Sequence, residues 1–188
     1  MTRVWPTDLF SVHTDDEATS ATMAVHECAH AVMATDLGCT VDVIDLWPHE
    51  EFPGDARTLI AYNKANMDLD SALTRAAGRP ATVAYWHTLG MVHKNHDVLT
   101  GIVEADEKEM RHYCHHDAEV ERYVQRVADR WVIANWARIC TLAHTLIQAH
   151  GRLDYPHILP STSIYAPGAS CGYHHRRPKP FPRRIPHQ

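Results

Sequence analysis

A chain of 188 residues, 45% hydrophobic and 22% charged, fits one ordinary globular domain and excludes fully disordered and collagen-like classes. No run reaches the roughly 18–20 apolar residues of a membrane-spanning helix, and Met1-Thr2-Arg3-Val4-Trp5-Pro6 lacks the apolar core of a signal peptide, so a soluble, cytoplasmic protein with no membrane partner is expected. The net charge of -5 hides an asymmetry: Arg176, Arg177, Lys179, Arg183 and Arg184 follow the last acid, Asp154, and the preceding body, with 13 basic against 23 acidic residues, carries -10.

In chain order, the first substantial element is a helix between Thr14 and Leu37. Met23, Ala24, Cys28, Ala31 and Val32 recur at helical spacing, Thr14-Asp15-Asp16-Glu17 has the form of a capping box, and Gly38 stands where a left-handed residue closes a helix. From Cys39 to Trp47 the β-formers Val41, Val43, Ile44 and Leu46 predict a strand, Pro48 to Asp55 a turn, and Thr58-Leu59-Ile60-Ala61-Tyr62 a second strand. Met67 to Leu89 is Ala-rich and helical, but Gly78 and Pro80 within it predict a kink or two helices. After a His-rich connection, Glu104 to Tyr113 predicts a further helix. Asp117 to His150, with Val120, Val124, Val127, Trp131, Ile139, Leu142 and Leu146, predicts a long helix or helix pair that Gly151-Arg152-Leu153-Asp154 stops. The fold class is therefore mainly α with a small β-hairpin or sheet element, α+β. Residues 1–155 form the domain, and 156–188 form a tail rich in Pro, His and basic residues and expected to be largely disordered. Cys28, Cys39, Cys114, Cys140 and Cys171 are odd in number and contain no C-x-x-C pair, which predicts reduced thiols.

Chemistry is concentrated in His26-Glu27-Cys28-Ala29-His30, an H-E-x-x-H sequence inside the first helix. Positions i and i+4 share a face, so two imidazoles can hold one zinc ion, and Glu27 beside the first of them can take a proton from a water on the metal. With 16 His and 9 Glu in the chain, shuffling alone produces the motif in about 6% of sequences, so its context must carry the argument. The competing arrangement is a solvent-facing helix on which two histidines fell four apart. Cys28, about 200° around the helix from His26, is expected to be a packed thiol and not a ligand. A catalytic zinc site needs a third protein ligand, which spacing alone does not choose.

Val25-His26-Glu27-Cys28-Ala29-His30-Ala31-Val32 with Leu37-Gly38 and a following strand resembles the helix of the FtsH-type peptidase domain, the M41 family. Leu73 to Ala81 resembles that family's Ala-Gly-Arg-Ala-Ala helix and Trp136 to Leu153 its closing helix, so the resemblance covers most of residues 22–155. It implies a zincin-like helical metallopeptidase domain in which His26, His30 and a carboxylate hold zinc and Glu27 is the general base and then acid. The family's third ligand, an aspartate opening a helix after the Ala-Gly-Arg segment, corresponds to Asp106. Asp117 and Glu104 compete for that role, and Glu104, Glu107 and Glu109 otherwise suggest a solvated helix start. The chain departs from the family at Ala29, Pro80 and Thr82, the last standing where the family commonly has a glutamate. It contains no P-loop sequence, so the implied activity is ATP-independent cleavage of flexible or unfolded polypeptide, with a peptide or protein as substrate.

Other histidine clusters are weighed against their abundance. His112, Cys114, His115 and His116 offer a second metal site or ordinary surface histidines, and Cys171 with His174 and His175 offers one in the tail. The basic tail suits nucleic acid or an acidic partner weakly and a solubilising extension better. The hairpin between Cys39 and Tyr62 offers an edge to which a peptide can add as a strand. Two rivals to the peptidase remain: a repressor-cleaving H-E-x-x-H protease, for which no helix-turn-helix neighbour is visible, and a binding or adaptor protein that keeps the fold without catalysis. Assembly into a homo-oligomer stays open.

Overall fold

The computed structural model describes residues 6–46, 56–61, 67–91 and 96–154. Helix α1 (Asp15–Asp36) begins at Thr14, whose hydroxyl accepts from the Glu17 N–H while the Glu17 carboxylate accepts from the Thr14 N–H, the reciprocal box that the sequence predicts. It ends in a Schellman turn, with Gly38 N–H donating to Thr35, Cys39 N–H donating to Ala34 and Gly38 at φ +80°. Between these caps α1 is buried on every side from Ser20 to Ala34. Its alanines at 21, 24, 29, 31 and 34 present so little bulk that other elements can pack close around it.

Strands β1 (Thr40–Asp45), β2 (Arg57–Ala61) and β3 (Arg152–Asp154) form an antiparallel sheet in the order β2-β1-β3. Ile44 pairs with Thr58 on one side and Leu153 on the other, and the β1–β2 register shifts between Val41 and Val43. The hairpin pairing agrees with the sequence, whereas β3 corrects it: Gly151 to Asp154 ends the last helix and then continues as a third strand. Three residues are too short to show a period, and what secures them is pairing across 107 positions, including Arg152 Nη1 on Asp45 Oδ2 at 2.6 Å. The predicted turn at 48–55 and Tyr62 lie outside the described residues.

Helix α2 (Met67–Leu89) runs unbroken through Pro80, so of the two outcomes expected there, a kink or two helices, the second does not occur. A proline removes one N–H donor, and here α1, α3 and α4 all pack against α2 and keep it helical. Helix α3 (His96–Tyr113) starts eight residues before the predicted Glu104. Val98, Leu99, Ile102 and Val103 already follow helical spacing there, interrupted by Gly101. Helix α4 (Ala118–Gln148) is one helix and not a pair, capped by Asp117, whose carboxylate accepts from the N–H groups of Glu119 and Val120.

The core is shared by α1, the inner faces of α2 and α4, and the sheet. Arg138 of α4 grips Asp36 at the α1 C-terminus with two hydrogen bonds of 2.8 and 2.9 Å, offsetting an acid at the negative end of a helix dipole. Among the described residues no helix is long and apolar enough to cross a membrane. Cys28, Cys39, Cys114 and Cys140 form no disulfide with one another. The tail, with Cys171, His174, His175 and the basic residues, lies outside the described residues.

Candidate metal centre

His26 and His30 project from one face of α1, and Asp106 reaches them from α3. His26 Nε2 lies 2.8 Å and His30 Nε2 2.9 Å from Asp106 Oδ2, and the two Nε2 atoms are 3.0 Å apart. Three donor atoms from residues up to 80 positions apart therefore close a small triangle. His26, Glu27, His30 and Asp106 are 2%, 5%, 1% and 8% exposed, which removes the alternative of a solvent-facing helix with accidental histidines.

The atoms behind the triangle fix the outer nitrogen of each imidazole as a donor. His30 Nδ1 is 2.7 Å from the Thr74 carbonyl, which can only accept, so Nδ1 carries the hydrogen. Thr82 Oγ1 gives its single proton to the Gly78 carbonyl at 3.0 Å and so accepts from His26 Nδ1 at 3.1 Å. When neutral, both imidazoles thus turn an unprotonated Nε2 toward each other and toward a carboxylate oxygen. Three lone-pair donors this close repel unless a proton or a metal cation sits among them, and two imidazoles with one carboxylate are an ordinary zinc donor set.

The local electrostatics agree. Burial pushes the Asp106 carboxyl up, but the charges and hydrogen bonds of His30 and His26 outweigh it and hold the group well below the usual carboxylate range. Burial pushes His30 down, yet the Asp106 charge and hydrogen bond, with the Glu27 charge, raise it overall against an opposing Arg75. The pocket is built to stabilise positive charge.

Each supporting side chain has a definite source in the fold. Asp106 keeps Oδ2 for the triangle because Arg75 Nη1 of α2 holds Oδ1 at 3.0 Å, and Arg75 Nε in turn stands 2.8 Å from Glu109 Oε2. Gly78 lets α2 approach the His26 ring: a Cβ there would lie 2.4 Å from Cε1 and 2.7 Å from Nε2. Glu27 places a carboxylate oxygen within 4.8 Å of both imidazole donors. Its Oε2 accepts a 2.7 Å hydrogen bond from Thr58 of β2.

Asp106 lies in the middle of α3 and not at its opening, which corrects the picture of Glu104, Glu107 and Glu109 as a solvated helix start. Glu107 instead bridges Arg79 at 2.7 Å and Arg111 at 3.2 Å. The competing ligands are placed elsewhere: Asp117 caps α4 and is exposed, and Glu104 is exposed. His112, His115 and His116 point to solvent while Cys114 is buried, its thiol pushed up to about 11 by burial and then by Glu121 and Asp117. Possible donor atoms of His26, Glu27 and His30 all lie within 4.8 Å of one another, and among the described residues no such group of three is found away from this site. Cys28 is a fully buried thiol held well above its ordinary pKa by burial, then by Glu27 and Cys140, as expected of a packing residue. A groove of about 520 Å³ between α2 and α4, lined by Pro80, Val83 and Ile133 among others, contains none of the triangle's residues.

Thr82→Val is expected to preserve the fold, since the side chains are nearly isosteric, and to weaken metal binding roughly 10- to 100-fold by leaving the His26 Nδ1–H without an acceptor. Competition titration against a chromophoric chelator measures this.

Compared with protein-family models, with curated proteins and with solved structures, the chain finds no match in any of the three.

Proposed function

We propose that the chain is an ATP-independent zinc metallopeptidase domain of FtsH-like, zincin-like type that hydrolyses peptide bonds in flexible or unfolded polypeptide. The observation that carries this is the convergence of His26 Nε2, His30 Nε2 and Asp106 Oδ2 next to the Glu27 carboxylate. These three residues would hold the zinc, which when bound polarises a peptide carbonyl and lowers the pKa of water in its open position toward about 7.

The remaining chemistry belongs to the protein. Glu27 stands beside the donor triangle but is not needed to complete it, the position of a general base. Thr58 holds its Oε2, and the carboxylate takes the proton from the attacking water and passes it to the leaving amine nitrogen. Arg75 keeps Asp106 in one orientation, and the Thr74 carbonyl and Thr82 hydroxyl keep the imidazoles in one tautomer. Strand β2 is an edge of the described sheet and carries the residue that contacts Glu27, which suits an extended peptide adding alongside it.

The test is hydrolysis of a fluorescently quenched unfolded polypeptide by untagged protein without ATP. Activity is expected to disappear on chelation and return with stoichiometric zinc. A zinc-loaded, folded protein that cleaves no such substrate would instead favour the binding-protein alternative.

A further inference from the structure

We propose that Thr58 is the positioning residue of the general base: its hydroxyl, carried on β2, holds the Glu27 carboxylate by Oε2 and so fixes where the carboxylate meets the proton it moves. The inference rests on the proposed peptidase chemistry and adds to it a residue 31 positions from the motif.

The geometry is specific. Thr58 Oγ1 has one proton and two acceptors within reach, both on Glu27: the carboxylate Oε2 at 2.7 Å and the backbone carbonyl at 3.2 Å. The carbonyl also lies within α1, where the helical N–H four residues on donates to it, so the shorter, charge-assisted bond to the carboxylate takes the proton. Thr58 is itself difficult to move. It is β-branched, buried and paired with Ile44 in the ladder, so its χ1 and its height above α1 are set by the sheet. Glu27, by contrast, has three rotatable side-chain bonds and no other hydrogen bond on its carboxylate among those found in the described residues. A glutamate in a helix needs an external anchor to keep one rotamer, and the sheet supplies it. Because Thr58 contacts the base and not the donor triangle, its loss should affect proton transfer while leaving the metal in place.

The experiment uses the full chain with Thr58→Val, which keeps shape and strand propensity but removes the donor, and Thr58→Ser, which keeps the donor. Thr58→Val is expected to bind zinc as the parent does, to keep KM within about twofold and to lose kcat roughly 10- to 100-fold, with Thr58→Ser restoring it. A second readout is independent of activity and metal: in zinc-free protein the Glu27 13Cδ resonance, assigned by its disappearance in Glu27→Gln, should move in Thr58→Val and return in Thr58→Ser. Unchanged kcat in Thr58→Val, an unmoved resonance, or a defect that serine does not restore overturns the proposal. Should the parent cleave no peptide, the peptidase function fails on its own, and the resonance alone then supports or overturns the Thr58 contact.

Discussion

Gly78→Ala is expected to lower both metal affinity and thermal stability, although alanine is the better helix former by about 1 kcal/mol. Propensity and packing predict opposite signs at this position, and the magnitudes decide between them. The added Cβ would lie 2.4 Å from His26 Cε1, 2.7 Å from Nε2 and 2.8 Å from Nδ1, distances that no packed interior tolerates. The ring cannot swing aside freely, because Nδ1 is tied to Thr82 and Nε2 faces Asp106 and His30. Either α2 retreats from α1 or the imidazole leaves the triangle. Overpacking of this kind costs about 1–3 kcal/mol, which exceeds the propensity gain, and a displaced ring removes one donor. Zinc titration and thermal unfolding in the presence of chelator separate the two effects. An unfolding midpoint at or above the parent's, with parental zinc affinity, would show that the close approach of Gly78 to His26 has no role.

Glu27→Gln is expected to retain zinc and lose peptide hydrolysis by roughly a hundred- to ten-thousand-fold, the usual contribution of a positioned general base. Glutamine keeps the size of the side chain and an oxygen for the Thr58 hydroxyl, so the packing around α1 should hold. Its amide cannot take a proton from water. Because the donor triangle consists of His26, His30 and Asp106 without Glu27, metal content should not change. Loss of zinc together with activity would make Glu27 a ligand and not a base. Equal hydrolysis by variant and parent would remove it from the mechanism.

The features legible in the sequence were those encoded locally. The capping box at Thr14, the Gly38 stop and the H-E-x-x-H spacing lie within one helix and act through neighbours three and four residues apart. Asp106 is different in kind: no spacing rule links α1 to a position 76 residues beyond His30, and it was reached through the family resemblance. One local signal does exist. Val103, Asp106, Met110 and Cys114 follow one helical stripe, and all four are buried, so Asp106 is the lone charge on an apolar face. Ser71, Thr74, Gly78 and Thr82 form a comparable stripe of small and polar residues on α2, every one of them buried. Thr74, Thr82 and Gly78 all turned out to touch the histidines.

Arg75 and Thr58 carry no such mark, since an arginine on a helix and a threonine on a strand are ordinary, and only the tertiary approach gives them partners. The misplaced elements share one cause. Pro80, Gly101 and the short Arg152–Asp154 segment are each unfavourable or uninformative locally, and each is held by packing or pairing with distant parts of the chain.

The proposed metal centre draws two histidines from α1 and one aspartate from α3. It is tested most directly by the zinc content per chain of untagged protein dialysed against a weak chelator, measured for the parent, His26→Ala and Asp106→Ala. About one zinc is expected in the parent and none in either variant, with all three chains folded by circular dichroism. A folded parent that retains no metal, or an Asp106→Ala variant that keeps parental zinc, would contradict it.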